Sequence, residues 1–210
     1  MAKKLTKKEM FTELGTSGLR RFGGSLYEEW HPDLRGSQAN RIYREMSDND
    51  PIIGSVLFAI KMLCSQVKWQ VESATDDKTD TDASEFVESC RTDMSMTWTD
   101  CISEILSMLV YGFSYHEIVY KRRLGSGKKD PAKRSKYHDG KIGWRKLPVR
   151  AQSTLHEWEF DDEGGLIAMV QVAPPDYLTR RIPIEKSLLF RTTSERDNPE
   201  GRSILRTAYR

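Results

Sequence analysis

Apolar residues recur at helical spacing through the first half of the chain and with period two through the second half. A short helix is expected over 37–46. A stronger start follows at Asp50 and Pro51, an N-cap acceptor with proline in the first helical position. Ile52, Ile53, Val56, Leu57, Ile60, Leu63, Cys64 and Val67 then form one wide apolar face, which predicts a core helix. Trp69 and Val71 alternate with polar residues, so a strand over 68–73 should follow directly.

Residues 75–82 contain no apolar member and read as an exposed loop. Asp82 and Glu85 have capping-box spacing ahead of Phe86, Val87 and Cys90, predicting a helix over 83–91. Thr97 and Asp100 repeat the device before Cys101, Ile102, Ile105, Leu106 and Leu109, predicting another over 98–110 that ends at Gly112. Beyond Gly112 the period changes. Residues 113–120 alternate, 155–160 and 166–172 flank the turn-forming run 161–165 as an antiparallel hairpin, Pro174 and Pro175 end that unit, and 188–192 gives a further strand. Asn198-Pro199-Glu200-Gly201 turns into an apparent helix through Ile204, Leu205 and Ala208, so short at Arg210 that the protein is expected to continue past it. The fold class that results is α+β, with helices packed on a mostly antiparallel sheet.

Three units are expected: an extended N-terminal arm over 1–36, an α+β domain over 37–197, and the start of a helix over 198–210. The arm mixes lysine, glycine, serine and threonine with scattered aromatics, Phe11, Phe22, Tyr27 and Trp30. Such a segment buries too little to order itself, so it should dock on something else and be mobile over residues 1 to about 26 in an isolated monomer.

Composition narrows the function classes. The chain has 210 residues, 38% hydrophobic and 30% charged, and a formal net charge of +2, so bulk charge demands no nucleic-acid partner. Cys64, Cys90 and Cys101 are odd in number and sit at apolar helical positions, which points to reduced thiols in an intracellular setting. No stretch approaches the apolar length of a membrane span, so no membrane association is expected.

Chemistry is sparse. His116-Glu117 lacks the second histidine of an HExxH zinc motif, His31, His138 and His156 are isolated, and no CxxC occurs, so no metal is expected. Neither GxxxxGK[ST] nor GxGxxG is present, which excludes a nucleotide-driven motor and argues for no cofactor and no enzymatic activity. Asp161, Asp162 and Glu163 read as a solvated turn rather than a nuclease site. The unusual stretch is 121–136, with eight basic residues and one acid. Lys121, Arg122, Arg123, Lys128, Lys129, Lys133, Arg134 and Lys136 are candidates for nonspecific DNA contact. The alternative is a solvated, mobile connection between strands, which Gly125, Gly127 and Pro131 favour. No aromatics are interleaved within the run for stacking on single strands.

Four stretches in this order, MSDNDPIIGSVLFAIKMLCSQVKWQVES, LVYGFSYHEIVYKRR, WRKLPVRAQSTLHEWEFDDEGGL and IPIEKSLLFRTTSERDNPEGRSILRTAYR, resemble bacteriophage portal proteins of the Mu-type family over about residues 27–210. The resemblance implies a portal wing-like domain, with the helix near Arg202 leading toward a stem and clip region absent from this chain. It also implies a homo-oligomeric ring, a dodecamer, at one vertex of the virion capsid. Double-stranded DNA would pass through that ring, with terminase, capsid and tail adaptor proteins as partners and assembly in the host cytoplasm. Two other classes stay open: a DNA-binding accessory or DNA-processing protein using 121–136, and a head structural protein unrelated to the channel.

Overall fold

The computed structural model describes residues 15–209. It is an α+β arrangement of five α-helices and ten short strands among the described residues, every strand pair antiparallel. The helices are α1 (Gly36–Asn49), α2 (Pro51–Gln66), α3 (Lys78–Thr92), α4 (Trp98–Ile105) and α5 (Ser107–Tyr111). The strands are β1 (Arg21–Phe22), β2 (Ser25–Leu26), β3 (Phe113–Glu117), β4 (Val119–Arg122), β5 (Ile142–Lys146), β6 (Val149–Arg150), β7 (Leu155–Phe160), β8 (Leu166–Val172), β9 (Thr179–Pro183) and β10 (Ser187–Arg191).

Two of the three capping signals act as read, and the third, Asp82 with Glu85, lies inside a helix that starts earlier. Asp50 accepts from the backbone N–H of Ile52 and Ile53, and Thr97 accepts from Asp100 N–H, which starts α2 and α4. The region expected as a single sheet is four small ones, ordered β1-β2, β10-β3-β6, β4-β5 and β7-β8-β9. The alternating run 113–120 divides at Ile118, whose N–H donates to Lys186 O at 2.8 Å, so β3 joins one sheet and β4 another.

The main core lies between β3 and the β7-β8-β9 sheet. Phe113, Tyr115, Trp158, Met169 and Ile182 are buried together, with Trp158 edge-on to both Phe113 and Tyr115. Tyr115 Oη donates to Ile182 O at 2.9 Å and accepts from Ser187 Oγ at 2.6 Å, so the buried hydroxyl is satisfied from two elements. A second cluster joins Leu34, Ala39 and Tyr43 to Leu205, tying α1 to the end of the chain.

Several local expectations differ from the structure. Residues 68–73 form no strand. The helix expected at 83–91 begins at Lys78, taking in part of the polar loop, and the one expected over 98–110 is broken at Leu106 into α4 and α5. Residues Ile204–Thr207 make a 3-10 turn rather than an α-helix. Most consequentially, α2 is not a core helix, because none of its residues is buried.

Residues 1–14 of the expected arm lie outside the described residues. From Arg20 onward the arm docks on its own chain. Trp158 N–H donates to Gly24 O at 2.9 Å, Arg196 donates to Glu28 at 3.0 Å, and Arg206 holds Glu29 with two hydrogen bonds of 2.6 and 3.0 Å.

Candidate nucleic-acid interface

The basic stretch leaves β4 at Arg122 and returns to β5 at Ile142. It is folded rather than slack: Arg122 N–H donates to Ala132 O, Leu124 N–H to Lys133 O, Gly125 N–H to Tyr137 O and Ser135 N–H to Gly125 O. The excursion therefore doubles back on itself with its backbone groups paired.

Asp93, the residue that caps the C-terminus of α3, staples this excursion to the body. Its buried carboxylate accepts from Ser135 Oγ at 2.6 Å and Lys136 N–H at 2.8 Å, and pairs with Lys121 Nζ at 2.9 Å. Burial pushes the Asp93 carboxyl up, but the hydrogen bonds from Ser135, Lys136 and Lys121 outweigh it and hold the group below the usual aspartate value. Lys121 Nζ also donates to Asp93 O, and Lys136 Nζ to Thr92 O at 2.6 Å. Two of the eight basic residues thus serve the open carbonyls and negative end of α3.

Arg123 has a structural place too. Its buried guanidinium pairs with Asp139 at 2.9 Å, donates to Ser89 Oγ at 2.8 Å, and lies over the rings of Tyr137 and Phe86 at 4.0 and 5.1 Å. Lys121 and Arg123 accordingly face inward, which removes them from any surface that could meet phosphates. Lys133 is exposed but spans 3.5 Å to Asp130. Arg122, Lys128, Lys129 and Arg134 are exposed with no acidic partner within ion-pair distance among the described residues. The stretch of eight candidates resolves into four free cations presented on a stapled loop.

Asp93 was not singled out from the sequence. The available signal is its position: an acid at a helix C-terminus opposes the helix dipole and needs a cationic reason to be there.

Other chemistry-bearing groups are dispersed over the fold. No cluster of three or more histidine, cysteine, aspartate or glutamate side chains arranged for a metal is present among the described residues. His116 and Glu117 point into different surroundings. The His116 imidazole is buried, with Nδ1 against Leu147 O at 2.8 Å, while Glu117 pairs with Arg150 and with Lys186 at 2.9 Å. Cys64, Cys90 and Cys101 are free thiols on helices, and burial pushes Cys101 up to about 11. A cavity of about 730 Å³ lies between the arm, α1 and β7. Two of its acids are shifted in opposite directions: burial pushes Glu29 up but hydrogen bonds from Arg206 and the His31 N–H hold it below the usual glutamate value, whereas Glu200 is raised by burial and accepts from Trp158 Nε1 at 3.0 Å, so it acts as a latch on the core tryptophan. No helix among the described residues is long and apolar enough to cross a membrane.

The family model described as the portal protein of Mu bacteriophage matches residues 40–210. No curated protein matches the chain.

Proposed function

The chain belongs to the portal protein family of Mu bacteriophage, and from that premise we propose that it is a subunit of a ring at one vertex of the capsid, through which DNA is packaged and ejected. The observation that carries this reading is the extent of the match, 40–210, which takes in α1 from its second turn, every later helix and all the buried residues of the main core. In this role the subunit makes and breaks no covalent bond. The packaging motor and tail proteins dock on the ring, and a twelve-membered closure is the proposed stoichiometry. A ring of identical subunits needs two different complementary surfaces per chain.

The loop that carries Arg122, Lys128, Lys129 and Arg134 is the proposed DNA-facing element. Flexible cationic side chains on a fixed backbone neutralise phosphates without reading base edges, which suits a duplex that must slide. The same four cations favour a second reading, a DNA-binding accessory that acts without a ring.

Electron microscopy of the purified protein separates the two. Closed rings with a central hole are the expected result. DNA-bound particles with no annular assembly would replace the portal reading with the accessory one.

A further inference from the structure

The most apolar of the long helices among the described residues is one the chain leaves open. α2 has a single charged side chain, Lys61, and its inner residues Ile53, Leu57, Ile60 and Cys64 are only partly covered where the helix packs on α1 and α4. The outer side is bare: Ile52 is 75% exposed, Val56 52%, Phe58 63% and Leu63 67%, and the apolar surface continues through Val67 and Trp69. Ile52, Val56, Ala59 and Leu63 recur at alternating spacings of four and three, so they line up as one seam along the helix.

The size of this face is informative. The exposed apolar side chains from Ile52 to Trp69 together present on the order of 800 Å², the share one partner contributes to a standard protein–protein interface. That exceeds the few hundred Å² of the largest apolar patch on an ordinary monomer. A helix whose apolar residues extend this far beyond the face it packs is one that gains from cover on its outer side as well.

We infer that the outer face of α2 is an interface with a second copy of this chain. The inference rests on the ring reading and says which surface closes one side of the contact. Charge points the same way. With only Lys61 available to pair, a highly charged partner would bury unpaired groups, which is unfavourable. A lipid surface fits less well, because a helix lying in a membrane interface carries a strongly charged polar face opposite its apolar one, and α2 has none. A second copy brings the needed apolar counterpart from other elements: Tyr177 and Leu178 in the link between β8 and β9, and Phe22 and Trp30 in the arm, are all exposed. Apolar patches on different elements of one chain are what a head-to-tail ring contact uses.

The test is sedimentation velocity of the 210-residue chain over a concentration series, with Val56→Glu and Leu63→Glu as variants. Both positions are exposed, so unchanged thermal melts of the dilute protein confirm that the fold is kept. Hydroxyl-radical footprinting of Met62 and Trp69 at each concentration gives a readout independent of the variants. The expected result is association of the parent chain, at least tenfold weaker association of each variant, and loss of Met62 and Trp69 oxidation as the parent assembles. Assembly that both variants share unchanged, or that leaves Met62 and Trp69 fully reactive, overturns the α2 interface while leaving the ring reading standing. A parent chain that stays monomeric at every concentration overturns both. Protection already complete in the dilute monomer would show that the chain covers α2 itself, and binding to anionic phospholipid vesicles without self-association would assign the face to lipid. Either would end the proposal.

Discussion

Gly112 and Gly201 meet backbone to backbone: a Cβ on Gly112 would stand 2.4 Å from Glu200 O, and one on Gly201 would stand 2.4 Å from Gly112 O. Both residues have positive φ, 94° and 55°. Thr192 completes the joint, its N–H donating to Gly112 O at 3.0 Å. The contact seats the Asn-Pro-Glu-Gly turn on the step from α5 into β3, and two glycines far apart in sequence form a single structural element.

From that geometry, Gly112→Ala and Gly201→Ala each destabilise the protein by about 2–4 kcal/mol, through a disfavoured left-handed backbone plus displacement of rigid carbonyls. The double variant should cost less than the sum, because separating the two segments once relieves both clashes. Urea unfolding of the three variants measures this. Losses below about 0.5 kcal/mol, the scale of an unremarkable surface change, would show that the segments do not meet.

Asp93→Ala leaves the buried Lys121 ammonium without its partner, at a cost of about 3–5 kcal/mol. It should also free the basic excursion, so that trypsin cuts at Lys128 and Lys129 much faster than in the parent protein. Replacing both partners, as Asp93→Leu with Lys121→Met, should recover most of the stability, since an apolar pair of similar size needs no compensating charge. The pH dependence has a fixed sign. The native carboxyl is held below its unfolded value, so this stability is fully present above about pH 4 and is lost as pH falls through the native pKa. Stability that is flat across that acid range would count against the staple.

His116 produces an acid dependence at higher pH. Burial lowers its pKa, despite the opposing hydrogen bond to Leu147 O and the nearby Glu104, and Nε2 has no hydrogen-bond partner in its buried position. The unfolded chain therefore takes up a proton below about pH 6.5 that the native protein refuses. Stability from this group is complete above that pH and declines as pH falls toward the native value. His116→Asn keeps a donor for Leu147 O and should remove the dependence between about pH 5 and 7. A parent protein whose denaturation midpoint is constant over that interval would contradict the burial of a neutral imidazole.

These sites differ in how far the residues announced them. The hairpin of β7 and β8 was readable because Asp161 to Gly165 is a run of turn formers between two apolar-rich flanks, but its register, shifted at two points along β7, was not. The caps at Asp50 and Thr97 were equally plain, since they depend on neighbours a few residues away. Residues 68–73 alternate too, yet alternation records only that a segment suits a half-buried ladder and not that a free edge lies within reach. The break at Leu106 carries no glycine or proline to mark it. The apolar face of α2 predicted a core helix, yet an apolar stripe does not say whether the same chain packs over it, and here none of its residues is buried. In the basic stretch charge alone was visible. Burial of Lys121 and Arg123 depends on Asp93 and Asp139, which only the fold brings to them.

The exposed cations make the last prediction. Changing Arg122, Lys128, Lys129 and Arg134 to serine leaves Lys121, Arg123, Lys133 and Lys136 in their pairs, so the excursion stays folded while its free charge is removed. Binding of duplex DNA by the parent protein should be weak, indifferent to sequence and steeply weakened by salt, because it draws on counterion release. Each phosphate neutralised contributes about 0.9 to the slope of log affinity against log salt concentration, so loss of four contacts should flatten that slope by about 3–4. Fixed bidentate contacts to base edges would instead add about 1–3 kcal/mol of discrimination at each position, a periodic barrier that a sliding duplex would have to climb. Titrations of two unrelated duplexes over a salt series measure both properties. Equal slopes for parent and variant would show that this surface does not meet DNA, and a marked preference between the duplexes would exclude a passive channel contact.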